Sequence, residues 1–133
     1  MRAAQYKCHV VNGRQLGAIG EEAAVQELRR RGYRIRERNV RCPMGELDLV
    51  AEEGSTLVFL EVKTRSTSDY GSPFEAISPF KRRRLQRLAV YYLATRRLTD
   101  RPCRFDAVSV SVDPAGRIRG VEVLVDAFEA EWS

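Results

Sequence analysis

The sequence predicts an α/β fold from two stretches of helical periodicity and five of strand periodicity. Apolar side chains recur at spacings of three, four and seven in residues 14–31 and again from residue 78 onward, as on the buried face of a helix. Strand patterns, bounded by turn formers, cover residues 33–40, 45–51, 57–63, 104–112 and 117–125. At 133 residues the chain fits one domain, placed at residues 14–133 behind an N-terminal tail of residues 1–13.

The first helix is predicted from Arg14 to Arg31, with Gly32 as the glycine just beyond its end. Glu21 lies three residues before Ala24 and seven before Leu28, so its carboxylate is expected on or beside the buried stripe. An acid near the start of a helix is also favoured by the helix dipole. A functional and a purely structural role for Glu21 are therefore equal alternatives at this stage.

The second and third strands are predicted to form a hairpin that closes through Glu52-Glu53-Gly54-Ser55. Pairing Ala51 with Thr56 gives an even loop and sets Glu46 opposite Glu61. Because strand side chains alternate, one face then carries Asp48, Glu61 and Lys63. The opposite face is apolar and is expected to be covered by a helix; its residues are Leu47, Leu49, Val58, Leu60 and Val62.

The charged face of this hairpin has the groups that phosphodiester hydrolysis requires. Mg²⁺, or Mn²⁺ in its place, binds oxygen ligands, usually one or two carboxylates with water and phosphate. Asp48 and Glu61 could supply the carboxylates, the Val62 carbonyl a further oxygen, and Lys63 could orient water or stabilise the pentavalent oxyanion. The alternative is a half-exposed hairpin whose charges simply face water.

Positive charge is concentrated in the second helix, which begins at a Ser78-Pro79 cap. The whole chain has a net charge of +5 and a pI near 9.4, which favours a polyanionic partner without establishing one. Basic side chains near a helix start strengthen its attraction for phosphate, whereas a solvated charged face is the alternative for most of them. The candidate nucleic-acid contacts are Lys81, Arg65, Arg83, Arg84 and Arg87.

Several other features narrow the class of protein. Cys8, Cys42 and Cys103 are odd in number and widely spaced, which argues against a disulfide framework or a structural zinc site. The chain shows neither an apolar run of membrane-spanning length nor a signal-peptide core, so a cytoplasmic location without membrane association is expected. The polar segment from Thr64 to Pro73 is predicted to be a surface loop, and Asp126 to cap a short closing helix.

Four motifs in order resemble the YraN-like family of bacterial proteins over roughly residues 14–128. They are Gly17-x-x-Gly20-Glu21, Gly45-Glu46-Leu47-Asp48-Leu49, Phe59-Leu60-Glu61-Val62-Lys63-Thr64-Arg65, and Arg104-Phe105-Asp106, with Lys81 and its arginines between the last two. That family resembles the restriction-endonuclease-like superfamily, which includes archaeal Holliday junction resolvases. The superfamily's D…(D/E)-x-K signature maps onto Asp48, Glu61 and Lys63, although Leu47 stands where the pattern has proline.

The resemblance implies a restriction-endonuclease-like α/β fold, with a central mixed sheet flanked by helices and Glu21 directed at the same metal centre. It also implies a Mg²⁺-dependent nuclease acting on DNA, with branched or damaged DNA among its candidate substrates. A homodimer is an expectation by analogy with enzymes of two-fold symmetric junctions. A non-cleaving nucleic-acid-binding module of the same fold is the first alternative, and a protein-interaction adaptor the second.

Overall fold

The computed structural model describes residues 12–67 and 78–129. The elements in chain order are α1 (Gly13–Arg30), β1 (Arg34–Cys42), β2 (Gly45–Glu53), β3 (Thr56–Ser66), α2 (Pro79–Thr95), β4 (Cys103–Val112) and β5 (Ile118–Leu124). The strands form one sheet in the order β1-β2-β3-β4-β5, with β3 and β4 parallel and the other neighbours antiparallel. The predicted α/β restriction-endonuclease-like fold, a mixed sheet flanked by helices, is confirmed.

Two apolar layers cover the two faces of this sheet. α1 packs through Ala24, Val25 and Leu28 in one layer, and α2 packs through Leu85, Leu88 and Tyr92 in the other. On β3, Val58 and Leu60 belong to the α1 layer whereas Leu57 and Phe59 belong to the α2 layer. The expectation that one face of the β2–β3 hairpin is apolar and the other charged is therefore wrong over most of its length, because β3 is a central strand with a helix on each side.

The ends of both helices follow their sequence signals. The Asn12 side chain accepts a hydrogen bond from the Gln15 N–H at 2.8 Å and so caps α1. Gly32, with φ +95, follows the last turn, where the Tyr33 N–H donates to the Leu28 carbonyl at 3.0 Å. Of the predicted tail, residues 1–11 lie outside the described part, whereas Asn12 and Gly13 begin the helix.

α2 begins as predicted, with the Ser78 hydroxyl accepting from the Lys81 N–H at 3.3 Å and Pro79 in the first helical position. The loop predicted from Thr64 starts later, because β3 continues to Ser66 in parallel pairing with β4, Ser66 opposite Val112. Residues 68–73 of that loop lie outside the described residues. Neither described helix has the length and apolar composition that crossing a lipid bilayer requires.

The β2–β3 hairpin has an even loop, as predicted, but a different register. Glu53 pairs with Thr56 and Ala51 with Val58, so the turn is only Gly54 and Ser55. The predicted pairing of Ala51 with Thr56 is wrong by two residues. Continued beyond its last pair, the observed register sets Asp48, rather than Glu46, opposite Glu61.

Distant arginines explain why this hairpin is longer than predicted. Glu52 and Glu53 are in β2 and not in the turn, because each has a basic partner across the sheet end. Arg101 lies 2.8 Å from the Glu52 carboxylate and Arg104 lies 3.0 Å from that of Glu53. Those two partners are about 50 residues away in the chain. The local sequence, which does not contain them, therefore predicts that the two glutamates belong to the turn.

A buried carboxylate fastens the end of the chain to the sheet. Asp106 in β4 accepts hydrogen bonds from the Tyr33 hydroxyl at 2.7 Å, from the Arg104 guanidinium at 2.8 Å and from the Asp126 N–H at 2.8 Å. Asp126 has φ +57 and lies in a turn after β5. The prediction that Asp126 caps a short helix is wrong: no helix follows β5 in the described residues, and its backbone is held by Asp106 instead.

Candidate functional site

The candidate site lies where β2 and β3 part. Their ladder ends at the Leu49–Leu60 pair, and beyond it the Val62 N–H donates to Asp48 Oδ2 at 2.9 Å. The Asp48 side chain therefore accepts a hydrogen bond from the Val62 N–H, which would donate to the β2 backbone if the ladder continued. This places the carboxylate within the gap between the strands, which we call the fork.

Two irregularities direct Asp48 into the fork. Leu47 packs in the α2 layer and Leu49 in the α1 layer, so the alternation of faces breaks at Asp48. In the neighbouring strand, Arg38 pairs with Leu49 and Val40 with Leu47, which places Asn39 beside Asp48. Asn39 has φ +53, a left-handed conformation that asparagine tolerates better than most residues. Such local strain is typical of functional sites.

A close approach of α1 to β3 brings Glu21 to the same place. A Cβ added to Gly20 would collide with the Thr64 side chain, including its hydroxyl oxygen. Only glycine therefore permits this contact, and the residue after it, Glu21, reaches the fork. Glu21 accepts a hydrogen bond from the Asn39 side-chain amide at 2.8 Å, and Arg38 lies 3.6 Å from the same oxygen.

These residues enclose a cleft of about 280 Å³ between the start of α1 and the fork. Asp48, Val62 and Thr64 line it on the sheet side, with Gly13, Leu16, Gly17 and Glu21 on the helix side. Gly13 and Gly17 have no side chains and leave open space in front of the carboxylates, since a Cβ at either position would meet nothing within 4 Å. The cleft therefore has access to both Glu21 and Asp48.

The electrostatics of the fork disfavour charge on Asp48. Burial, above all, and the nearby carboxylates of Glu61, Glu21 and Glu46 together raise its pKa from the ordinary 3.8 to about 6. The hydrogen bond from the Val62 N–H acts in the opposite direction without overcoming them. A cation bound here would relieve the repulsion among these groups.

Glu61 and Lys63 lie on the other side of β3 from Val62 and Thr64. Glu61 follows Leu57 and Phe59 of the α2 layer, and its carboxylate is 3.8 Å from Arg84 of α2. The Arg84 Nε is buried and has no hydrogen-bond partner. Lys63 is exposed one pleat further along. The fork thus has Glu21 toward α1 and Glu61 toward α2, with Asp48 between them.

The donor set suits a hard divalent cation. Carboxylate oxygens and a strand carbonyl are the ligands that Mg²⁺ prefers, and Mg²⁺ normally keeps several waters beside one or two carboxylates. Within residues 12–67 and 78–129, no group of three or more His, Cys, Asp or Glu side chains is already gathered as a ready-made metal cage. Asp48 with one flanking glutamate satisfies the smaller requirement of Mg²⁺.

The candidate nucleic-acid contacts occupy different positions. Lys81, Arg83 and Arg87 are exposed on α2, and Arg84 reaches inward to Glu61. Arg65 is half-buried near the end of β3. The neighbouring Arg82 instead packs over the Phe128 ring, 5.8 Å from its centroid.

Sequence reasoning missed Asn39 and Arg38, which hold Glu21, and Thr64, which fixes α1 against β3. An asparagine inside an otherwise arginine-rich strand pattern was a signal for Asn39, since asparagine is depleted in strands. Gly20 directly before Glu21 was a signal for a close helix–sheet contact. Arg38 stands in a run of alternating arginines that gives no such signal.

Comparisons with known proteins agree on one family. The model of the Uncharacterised protein family UPF0102 matches residues 20–110, a span that contains Glu21, Asp48, Glu61 and Lys63. A UPF0102 protein of Moorella thermoacetica is 53% identical over 115 residues, covering 86% of this chain and 96% of the relative. Similar proteins of Symbiobacterium thermophilum and Syntrophus aciditrophicus are 50% and 44% identical, covering 88% and 87% of this chain and 98% and 90% of their own. The chain therefore belongs to the UPF0102 family, the YraN-like family that its motifs resemble.

Proposed function

We propose that this protein is a Mg²⁺-dependent nuclease that hydrolyses phosphodiester bonds of DNA, with branched or damaged DNA among its candidate substrates. The observation that carries the proposal is Asp48. Its half-buried carboxylate lies in the fork with a pKa raised to about 6, near the carboxylates of Glu61, Glu21 and Glu46. A structural role would be served better by a neutral residue, whereas a cation site requires concentrated negative charge.

Asp48 would hold the cation, with Glu21 on the α1 side, Glu61 on the α2 side and the Val62 carbonyl as further oxygen donors. When bound, the cation supplies charge neutralisation at phosphorus and a lowered pKa for an attacking water. Asn39 and Arg38 keep Glu21 in place through contacts of 2.8 and 3.6 Å with its carboxylate. Glu61 becomes available as Arg84, 3.8 Å away, turns to a phosphate of the substrate.

Lys63 is assigned the role of orienting the attacking water or stabilising the pentavalent oxyanion. It lies two residues after Glu61 on the same side of β3, and it is exposed, so a substrate phosphate has access to it. Lys81, Arg65, Arg83 and Arg87 would bind the phosphate backbone on either side of the cleavage point. Such contacts position the substrate without reading its sequence.

A cleavage assay tests the proposal. Purified protein is incubated with single-stranded, duplex and four-way-junction DNA in Mg²⁺ or Mn²⁺, and we expect cleavage of at least one substrate. Asp48→Asn, Glu61→Gln and Lys63→Ala should each lower the rate on the order of 100-fold or more. Glu122→Gln and Arg119→Ala on the distant strand β5, both exposed, should keep the wild-type rate. Undiminished cleavage by Asp48→Asn or Lys63→Ala would overturn the assignment.

A non-cleaving DNA-binding module is the second candidate. It is favoured by the Arg84–Glu61 contact of 3.8 Å, which engages one proposed ligand with an arginine. This candidate predicts salt-dependent DNA affinity without cation binding and without cleavage of any substrate. A homodimer stays a prediction by analogy and is tested by the mass of the protein in solution.

A further inference from the structure

An exposed aromatic ring lies on the basic helix close to the candidate site. Phe80, the second residue of α2, is 62% exposed and is the most exposed large apolar side chain in the described residues. It is followed directly by four basic residues, Lys81, Arg82, Arg83 and Arg84. This part of α2 therefore presents an aromatic face directly beside concentrated positive charge, a combination that suits a ligand with both negative charge and an apolar face.

Helical spacing places this ring in line with the arginines. Phe80, Arg83, Arg84 and Arg87 occur at positions i, i+3, i+4 and i+7 and so form one stripe along α2. Arg84 connects this stripe to the candidate site, because its guanidinium lies 3.8 Å from Glu61. Phe80 therefore stands about one helical turn, roughly 6 Å along the axis, from the arginine that contacts the candidate site.

The turn between β1 and β2 adds a second apolar side chain at the same edge. Gly45 lies against α2, since a Cβ placed there would be 3.8 Å from Leu88 and 4.0 Å from the Arg84 side chain. Met44, directly before Gly45, is 42% exposed. The turn thus adds an exposed apolar residue near Arg84, in addition to Phe80 on α2.

We propose that Phe80 stacks on an unpaired nucleobase while Arg83 and Arg87 bind the adjoining phosphates, with Met44 of the turn near Arg84 as a further apolar contact. This inference rests on the proposed DNA-binding function and specifies its substrate class as DNA that contains unpaired or unstacked nucleotides. Aromatic side chains bind single strands because every base has a free π-face, whereas the bases of an intact duplex are already stacked on one another. Apolar wedges beside basic residues are also how proteins engage unstacked base steps.

Charge complementarity decides between this ligand and an apolar protein partner. Three arginines on the stripe and Lys81 beside it would have to be desolvated or neutralised by a protein surface, at a cost that one ring and one methionine do not offset. A nucleic-acid strand supplies phosphates for the cations and bases for the ring. Such a strand therefore complements both the basic and the apolar side chains of this surface.

Binding measured in EDTA tests the inference independently of cleavage. An oligonucleotide carrying 2-aminopurine is presented single-stranded and as the matching duplex, and affinity and fluorescence are recorded for the full chain. Phe80→Ala should weaken single-strand binding on the order of 5- to 100-fold and abolish the 2-aminopurine fluorescence change, with duplex affinity unchanged. Phe80→Trp should preserve both. Arg83→Ala should weaken binding to both forms of DNA.

Val90→Ala is the matched control, because Val90 is an apolar residue of the same helix, 51% exposed, and about 15 Å from Phe80 along the axis. Equal loss of single-strand affinity in Phe80→Ala and Val90→Ala, or equal losses for single strand and duplex in Phe80→Ala, would overturn the inference. Binding is measured in EDTA and so does not depend on cleavage. Absence of nuclease activity in the separate cleavage assay would refute the proposed function but would leave the binding result unchanged.

Discussion

Asp48 is the residue at which the demands of folding and of the proposed chemistry differ most. Its pKa of about 6 lies above the ordinary 3.8, because burial and three neighbouring carboxylates oppose its charge. Between about pH 4 and pH 6 the folded state keeps a proton that the unfolded state has lost, so the free energy of unfolding falls as the pH rises through that window. At neutral pH the ionised carboxylate destabilises the cation-free protein.

Replacing that carboxylate with an amide should therefore stabilise the protein. We expect Asp48→Asn to raise the free energy of unfolding at pH 7.5, without divalent cations, by about 1–3 kcal/mol, since the amide oxygen can still accept from Val62. The gain should disappear below about pH 4, where Asp48 is protonated in both states. Urea unfolding at both pH values measures it, with Glu122→Gln as the control, and a variant less stable than wild type at pH 7.5 would contradict the electrostatic account.

The same pKa predicts how cation binding depends on pH. A metal ligand must be deprotonated, so protons compete with the cation below about pH 6. Mn²⁺ affinity measured by calorimetry should be about tenfold weaker at pH 5 than at pH 7. An affinity that does not change over this range would exclude Asp48 as the group that binds the ion.

At the scale of elements, the contact between α1 and β3 sets the distance from Glu21 to the fork. Gly20→Ala places a Cβ against Thr64, whereas Gly17→Ala, one turn earlier on the same helix, meets nothing within 4 Å. We expect Gly20→Ala to lower the free energy of unfolding by about 1–3 kcal/mol through overpacking. Gly17→Ala should raise it by about 0.5–1 kcal/mol through helix propensity.

Urea denaturation of the two variants measures the difference between them. Backbone flexibility is reduced by a similar amount in each, so only the contact with Thr64 separates them. Equal stabilities would mean that α1 does not depend on this contact and that Glu21 is placed by other interactions.

Local signals predicted the elements well and their pairing less well. Ser78-Pro79 and Gly32 act at the ends of their own helices, so the sequence alone places those ends. The predicted register of the β2–β3 hairpin was wrong by two residues, because Arg101 and Arg104 hold Glu52 and Glu53 in β2. The break in alternation at Asp48 depends on two helices and a neighbouring strand, which no local pattern contains.

At the scale of the whole molecule, Asp106 links the start of β1, the strand β4 and the segment after β5. Asp106→Ala removes the acceptor for Tyr33, Arg104 and Asp126 at once. Because the half-buried guanidinium of Arg104 loses its main partner and the buried Tyr33 loses its acceptor, we expect the free energy of unfolding to fall by about 3–5 kcal/mol. Thermal and urea unfolding measure it, and Asp100→Ala, at an exposed turn, should change it by less than about 0.5 kcal/mol. A small loss at Asp106 would show that these segments are held mainly by apolar packing.

The sequence predicts the fold class and the family of the whole molecule, but it does not predict where Asp48 lies. The order of elements, the α/β class and the family follow from motifs spread along most of the chain, because each motif carries its own physical signal. The position of Asp48 between Glu21 and Glu61 depends on the sheet order and on the close packing at Gly20. These are properties of the assembled fold.

The central claim is that the fork at Asp48 binds a divalent cation, and crystals soaked in Mn²⁺ test it most directly. Anomalous diffraction should show one strong peak beside the Asp48 carboxylate and close to the Val62 carbonyl, with Glu21 or Glu61 as the second carboxylate. The same soak of Asp48→Asn crystals should show none. Absence of a peak at Asp48 in the wild-type protein at saturating Mn²⁺, above pH 7, would contradict the account.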